Sequence, residues 1–269
     1  TRTSIAMQAA EVLGIRAEDV HPAVVDTDSI GYTAVTGGSR TAFATGWAAY
    51  EAAQDVKNQL VDRASKIWGV DVKDVEMVDG VLRSKSDSEL NMTFAELAEQ
   101  LNDTGTPIVG RGAVDPQGVG GAFAGNIVDV ETDPETGKTQ VTRFTVVQDA
   151  GKAIHPSYVE GQMQGGSVQG IGWGLNEEYF YSSEGRMDNS SFLDYRMPTS
   201  YDLPMIDTVI VEVPNPGHPY GVRGVGEAPI VPPPAAIANA VHGAVGVRIN
   251  RLPINPQTVM EFVWQKDKK

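Results

Sequence analysis

"GVRGVGEAPIVPPPAAIANAV", residues 221–241, sets one carboxylate, Glu227, between a glycine-rich approach and a run of prolines and small apolar residues. Prolines suit the first turn of a helix, where a missing amide hydrogen costs nothing. The stretch therefore predicts a loop that ends in a helix from about Pro233 to Val245. A glutamate ahead of a helix is often structural, since it gains a little from the helix dipole. The apolar, proline-rich neighbours of Glu227 offer few partners for a charge, however, and a carboxylate kept from water is a stronger base. Both readings stand on this stretch alone.

Outward from there, "TVIVEV" (208–213) reads as a strand before the loop, "VRINRLP" (247–253) as a strand after the helix, and Pro256 opens a final helix. Nearer the start, helical apolar spacing over 4–13 stops at Gly14, and residues 21–28 read as a short strand. Residues 37–41, Gly-Gly-Ser-Arg-Thr, lead into a long helix over about 42–68. Residues 73–83 read as a hairpin around Asp79-Gly80, and Thr93 with Glu96 has capping-box spacing. The glycine-dense run 109–125 divides the chain into two α+β lobes, 1–113 and 114–269. In the second, two strands flank the turn 133–137, a glycine-spotted helix follows from 155, and strands frame 182–185. The fold class expected is α+β: mixed sheets with packed helices, and hairpins rather than regular βαβ alternation.

A net charge of −14 disfavours nucleic acid and anionic membrane as partners. No apolar run approaches the roughly 18–20 residues that cross a bilayer. With no cysteine, the chain has no disulfide, no thiolate zinc site and no cysteine-held iron–sulfur cluster, so electrons from any redox step must leave through a partner. The first residues lack a signal-peptide layout and a starting Met; a cytoplasmic setting and missing upstream sequence are expected.

Common catalytic motifs fail: there is no Walker loop, no His-Glu-x-x-His and no Gly-x-Ser-x-Gly. His21, His155, His218 and His242 show no ligand spacing. Besides Glu227, two features remain. Gly37, Gly38, Ser39, Arg40 and Thr41 would make an anion cradle at a helix N-terminus, or simply a capped helix with a solvent-facing arginine. In "EGQMQGGSVQGIGWG" (160–174), Gln162, Gln164 and Gln169 sit among glycines that would let a flat ligand approach the backbone, or would let the helix pack tightly.

Taken in order, "GGSRTAFATGWAAYEAA", "DPETGK", "VQDAGKAIHPSYVEGQMQGGSVQGIGWGLNEE", "FLDYRMPTSYDLP", "GVRGVGEAPIVPPPAAIANAV" and "GVRINRLPINPQTV" resemble the molybdenum hydroxylases, the xanthine dehydrogenase and aldehyde oxidoreductase family. The match is to the C-terminal part of the molybdopterin-binding large subunit. The resemblance implies that Glu227, in Gly-Val-Gly-Glu-Ala-Pro with Gly226 before it, is the catalytic general base beside molybdenum. It implies that Gln162 hydrogen-bonds the cofactor and that Gly37–Thr41 lie against it. The resemblance also implies a metal held by the pterin dithiolene, with no direct protein ligand. The pterin is either a cytosine dinucleotide or the plain form, and [2Fe–2S] and FAD are expected on partner subunits.

The implied reaction is hydroxylation of an N-heteroaromatic ring or an aldehyde with oxygen from water. Relatives that reduce an aromatic acyl-CoA or oxidise carbon monoxide remain alternatives, as does an inactive assembly subunit. Family subunits carry a further N-terminal half, so this chain is either a split subunit or a fragment. In both cases activity is expected only with that half, an iron–sulfur subunit and a flavin subunit.

Overall fold

Two glycines stop the first long helices. Helix α1 (Arg2–Leu13) ends at Gly14 and α2 (Thr41–Trp68) at Gly69, with φ of 64° and 68°. That left-handed conformation costs glycine no Cβ clash. A computed structural model of the chain describes residues 1–23, 27–28, 32–118 and 120–267. Contacts divide it into two units, Thr1–Gly120 with Asn215–Val222, and Gly121–Pro214 with Arg223–Lys269.

In the first unit, α2 turns Phe43, Gly46, Ala53, Leu60 and Ala64 inward, all on one helical face. Gly46 lets α1 come close, because a Cβ there would collide with the Gln8 amide. Strands β1 (Val75–Val78) and β2 (Val81–Ser84) join through Asp79 and Gly80, whose φ angles of 49° and 75° suit a tight hairpin. Strand β3 (Asn91–Thr93) completes an antiparallel sheet in the order β1-β2-β3. Thr93 and Glu96 form the expected capping box of α3 (Phe94–Glu99), which the short α4 (Leu101–Thr104) follows. Leu60, Ala64, Val75, Met77, Leu82 and Leu97 make the core.

The segment Asn215–Val222 folds onto the same unit. The His218 ring lies 4.7 Å from that of Phe43. Its Nδ1 accepts the Tyr220 N–H at 3.1 Å, so Nε2 carries the proton and donates to the Phe43 carbonyl at 3.2 Å.

The second unit holds β4 (Ala124–Thr132), β5 (Thr139–Asp149) and β6 (Ile206–Val211), in the order β4-β5-β6. The first pair is antiparallel; β6 joins β5 in parallel, with α5 (Pro156–Leu175) in the crossover. One βαβ element thus stands where the sequence pointed to hairpins. Helices α6 (Pro233–Val245) and α7 (Pro256–Asp267) start at their prolines. Phe144, Val146, Met163, Ile171, Ile237, Val241, Ile254 and Val259 fill the core.

Three expected strand regions are not found among the described residues. Around 182–185 only the bridge Tyr181–Met187 forms, because Asn189 takes up the neighbouring backbone: its Oδ1 accepts from Phe180 N–H and its Nδ2 donates to the Glu178 carbonyl. Residues 247–253 form no strand; Ile249 is buried through its side chain, and the next amide bond, Ile254 N–H to the Gly174 carbonyl, goes to a helix. The expected strand 21–28 is not found in its described residues, and 24–26 lie outside them. The architecture is α+β, each unit combining one three-stranded sheet with packed helices. Among the described residues no helix is long and apolar enough to cross a membrane.

Candidate functional site

Glu227 is the only exposed residue between 221 and 230. It caps a single 3-10 turn, Ala228–Ile230, with φ −104° and ψ −18°. The burial expected from its apolar neighbours is not found. Those neighbours face the other way: Pro229, Pro233 and Pro234 are buried while Glu227, Val231 and Ala235 point out. The prolines sit against α5, where a Cβ on Gly166 would lie 2.5 Å from Pro229 Cγ and one on Gly170 would lie 2.5 Å from Pro233 Cγ. The apolar run therefore contacts the helix, and the carboxylate is left on the outer side of the turn.

Helix α5 realises both readings of its glycines, on different faces. Gly166, Gly170 and Gly174 are tight packing positions against Pro229, Pro233 and Ile237. Gly161 and Gly165 have nothing within 4 Å of an added Cβ, so the helix backbone is bare there. Gln162 and Gln169 are exposed on that face, between Tyr158 and Trp173 at spacings of three or four. Gln164 belongs to the fold instead, donating to the Ile206 carbonyl at 3.3 Å. The Gly226 carbonyl lies 3.3 Å from a Cβ built on Gly166, the residue one helical turn beyond Gln162.

Gly37–Thr41 lie in the first unit. Gly38 and Ser39 are both left-handed, with φ of 61° and 58°; that conformation is easy for glycine and uncommon for serine. The turn closes with Arg40 N–H donating to the Gly37 carbonyl. Arg40 then occupies the N-cap of α2 and makes no side-chain capping bond. The first-turn amides of α2 therefore stay directed at the space before the helix. Arg40 is half-buried rather than fully solvent-facing.

Within each unit the structure also shows chemistry that the sequence motifs did not single out. Asp149 and Arg223 form an ion pair at 3.1 Å, with their side chains 12% and 14% exposed. Their signal was visible in "VVQDAG" and "GVRG", where single charges interrupt apolar runs. Tyr195 donates to Glu177 at 2.9 Å, and burial with that carboxylate pushes its phenol up to about 12. Burial lowers the pKa of His218.

Residues 1–204 match the family described as "Molybdopterin cofactor-binding domain". The chain is 31% identical to the nicotine 6-hydroxylase large subunit of Paenarthrobacter nicotinovorans, over 96% of this chain and 33% of that protein. Among solved structures it resembles quinoline 2-oxidoreductase from Pseudomonas putida 86, with TM-score 0.84 and 31% identity over 98% of this chain and 35% of the other. It also resembles carbon monoxide dehydrogenase from Oligotropha carboxidovorans, with TM-score 0.88 and 29% identity over 99% and 34%. The chain spans about a third of the length of the curated relatives it matches.

Proposed function

Because the chain belongs to the molybdenum hydroxylase family, as part of its molybdopterin cofactor-binding domain, we propose that it supplies the general base and part of the pterin contacts of such an enzyme. The substrate class proposed is an N-heteroaromatic ring or an aldehyde, hydroxylated with oxygen from water. The observation that carries this is Glu227, exposed at the N-cap of a turn whose Pro229 packs on Gly166 of α5, one helical turn beyond Gln162.

The residues fit a flat, polar-edged group. Gly161 and Gly165 leave α5 without side chains where such a ring would lie, and Gln162 offers a donor and an acceptor next to them. When bound, the molybdenum–pterin group supplies a two-electron redox centre and activates water for attack on an electron-poor carbon. Glu227 takes the proton of the attacking water on a carboxylate oxygen. Gly226, the residue before it, adds no side chain of its own. Taken by itself, the start of α2 in the first unit, with its first-turn amides and the Arg40 guanidinium, offers positive potential to an anionic group. The cover that keeps water off Glu227 is assigned to polypeptide outside this chain, which makes up about two thirds of the relatives' length. Iron–sulfur and flavin partners would supply the route by which electrons leave.

The test is elemental analysis and turnover of the complex that contains this chain. About one molybdenum per copy is expected, and Glu227→Gln should lose about 10²–10⁴-fold in kcat with molybdenum retained. Unchanged turnover in that variant, or a complex without molybdenum, overturns the proposal. A second reading, carbon monoxide oxidation, draws on the TM-score of 0.88; turnover with carbon monoxide and none with N-heteroaromatics would select it.

A further inference from the structure

The loop that carries Glu227 is tied down at more points than its burial requires. Arg223 Nε meets Asp149 at 3.1 Å and also donates to the Val213 carbonyl at 3.0 Å. Its Nη1 donates to the Gly121 carbonyl at 2.7 Å, and its backbone N–H to the Ala150 carbonyl at 3.1 Å. The other face of the pair is equally occupied: Asp149 Oδ1 accepts the N–H groups of Gly151 and Val213 at 2.9 and 3.0 Å. One guanidinium thus joins the end of β5, the segment after β6 and the segment before β4 to the start of the Glu227 loop.

Two residues further on, Gln148 takes over. It is 1% exposed, and its Nε2 donates to the Val225 carbonyl at 3.0 Å. Its Oε1 has no hydrogen-bond partner. A buried amide with one orphaned end is a poor choice for stability, where a leucine would fill the space without that cost. The ion pair has the same character, since apolar replacements of buried pairs are often as stable. Both are better explained by the geometry they impose. Downstream, Pro229 locks against Gly166. The backbone is therefore pinned at 223, 225 and 229, and Glu227 sits midway between the last two.

We propose that Gln148 and the Asp149–Arg223 pair are positioning residues that fix the Glu227 carboxylate for proton transfer. The proposal rests on the reading of Glu227 as general base. General-base catalysis demands placement within hydrogen-bond reach, and a shift of about 1 Å can cost about 10²-fold in rate.

The experiment uses the intact complex with Gln148→Leu and Arg223→Lys, each made alone and on the Glu227→Gln background. Kcat, KM, molybdenum content and amide hydrogen exchange over residues 224–231 are measured. Each single variant is expected to lower kcat by about 10–100-fold, with KM within about twofold and molybdenum retained. Exchange should rise over 224–231 and stay unchanged in β5. On the Glu227→Gln background neither substitution should lower kcat further, because each acts through that carboxylate. Wild-type kcat in both variants while Glu227→Gln is inactive overturns the positioning role and leaves the general-base reading standing. Equal losses on both backgrounds also overturn it. Full turnover in Glu227→Gln overturns the general-base reading, and with it any catalytic positioning; unchanged exchange would then show that the anchors do not hold the loop either. If Arg223→Lys fails to fold, Gln148→Leu, which leaves the ion pair intact, decides alone.

Discussion

His218 gives the first unit a pH dependence that can be worked out from one side chain. Buried at 6% exposure, it is held neutral by desolvation, which lowers its pKa, while the bond to the Phe43 carbonyl opposes in part. Below its ordinary value of 6.5 the unfolded chain binds a proton that the folded chain refuses. Its contribution is therefore fully present above that value and is lost as pH falls toward the lower folded value. Urea midpoints should drop from pH 7 to pH 5, and His218→Gln should flatten that slope while lowering stability at pH 8. Tyr195 and Tyr220 provide a second residue-level check, both being pushed up to about 12, chiefly by burial. Ultraviolet titration should show a late step that shrinks in Tyr195→Phe and again in Tyr220→Phe.

At the scale of the element, α5 makes opposite predictions for its two faces. Gly166→Ala places a Cβ 2.5 Å from Pro229 Cγ and 3.3 Å from the Gly226 carbonyl, so the loop or the helix must move. Overpacking of that kind costs about 1–3 kcal/mol, and the melting temperature should fall. Gly165→Ala meets no atom within 4 Å and gains helix propensity, so this chain should be stabilised by up to about 1 kcal/mol. If the bare face receives the cofactor, the same substitution should lower the molybdenum content of the complex. On α3, Thr93→Ala removes one half of the capping box and should cost about 1 kcal/mol, read from chemical denaturation. These elements were readable in advance because their signals are local: a glycine stop, a proline start, an Asp-Gly turn and a Thr-to-Glu spacing each act within a few residues.

At the scale of the whole molecule, the second unit presents Phe192, Leu193, Tyr201 and Met205 at 89%, 96%, 96% and 86% exposure. Large apolar side chains left this exposed mark surfaces that are covered in an assembly. The chain alone should bind a hydrophobic dye that the assembled complex does not, and Phe192→Ser with Leu193→Ser should reduce that signal. Its net charge of −14 opposes self-association, so light scattering of the isolated chain should rise with salt as repulsion is screened.

The sequence by itself determined the helices, the Asp79-Gly80 hairpin, the α+β class and, through motifs in order, the family. Only the tertiary structure decided that β6 pairs in parallel with β5, that "VRINRLP" forms no strand and that 215–222 returns to the first unit. It also decided that Glu227 stands exposed, although its neighbours are prolines and apolar residues. The physical reason is the range of the forces involved. Capping and turn propensity are settled within one turn of chain, whereas strand pairing and burial depend on surfaces that residues far apart in sequence bring together. For "APIVPPP" the deciding surface was the row of glycines on α5, which drew the prolines inward and left the carboxylate facing out.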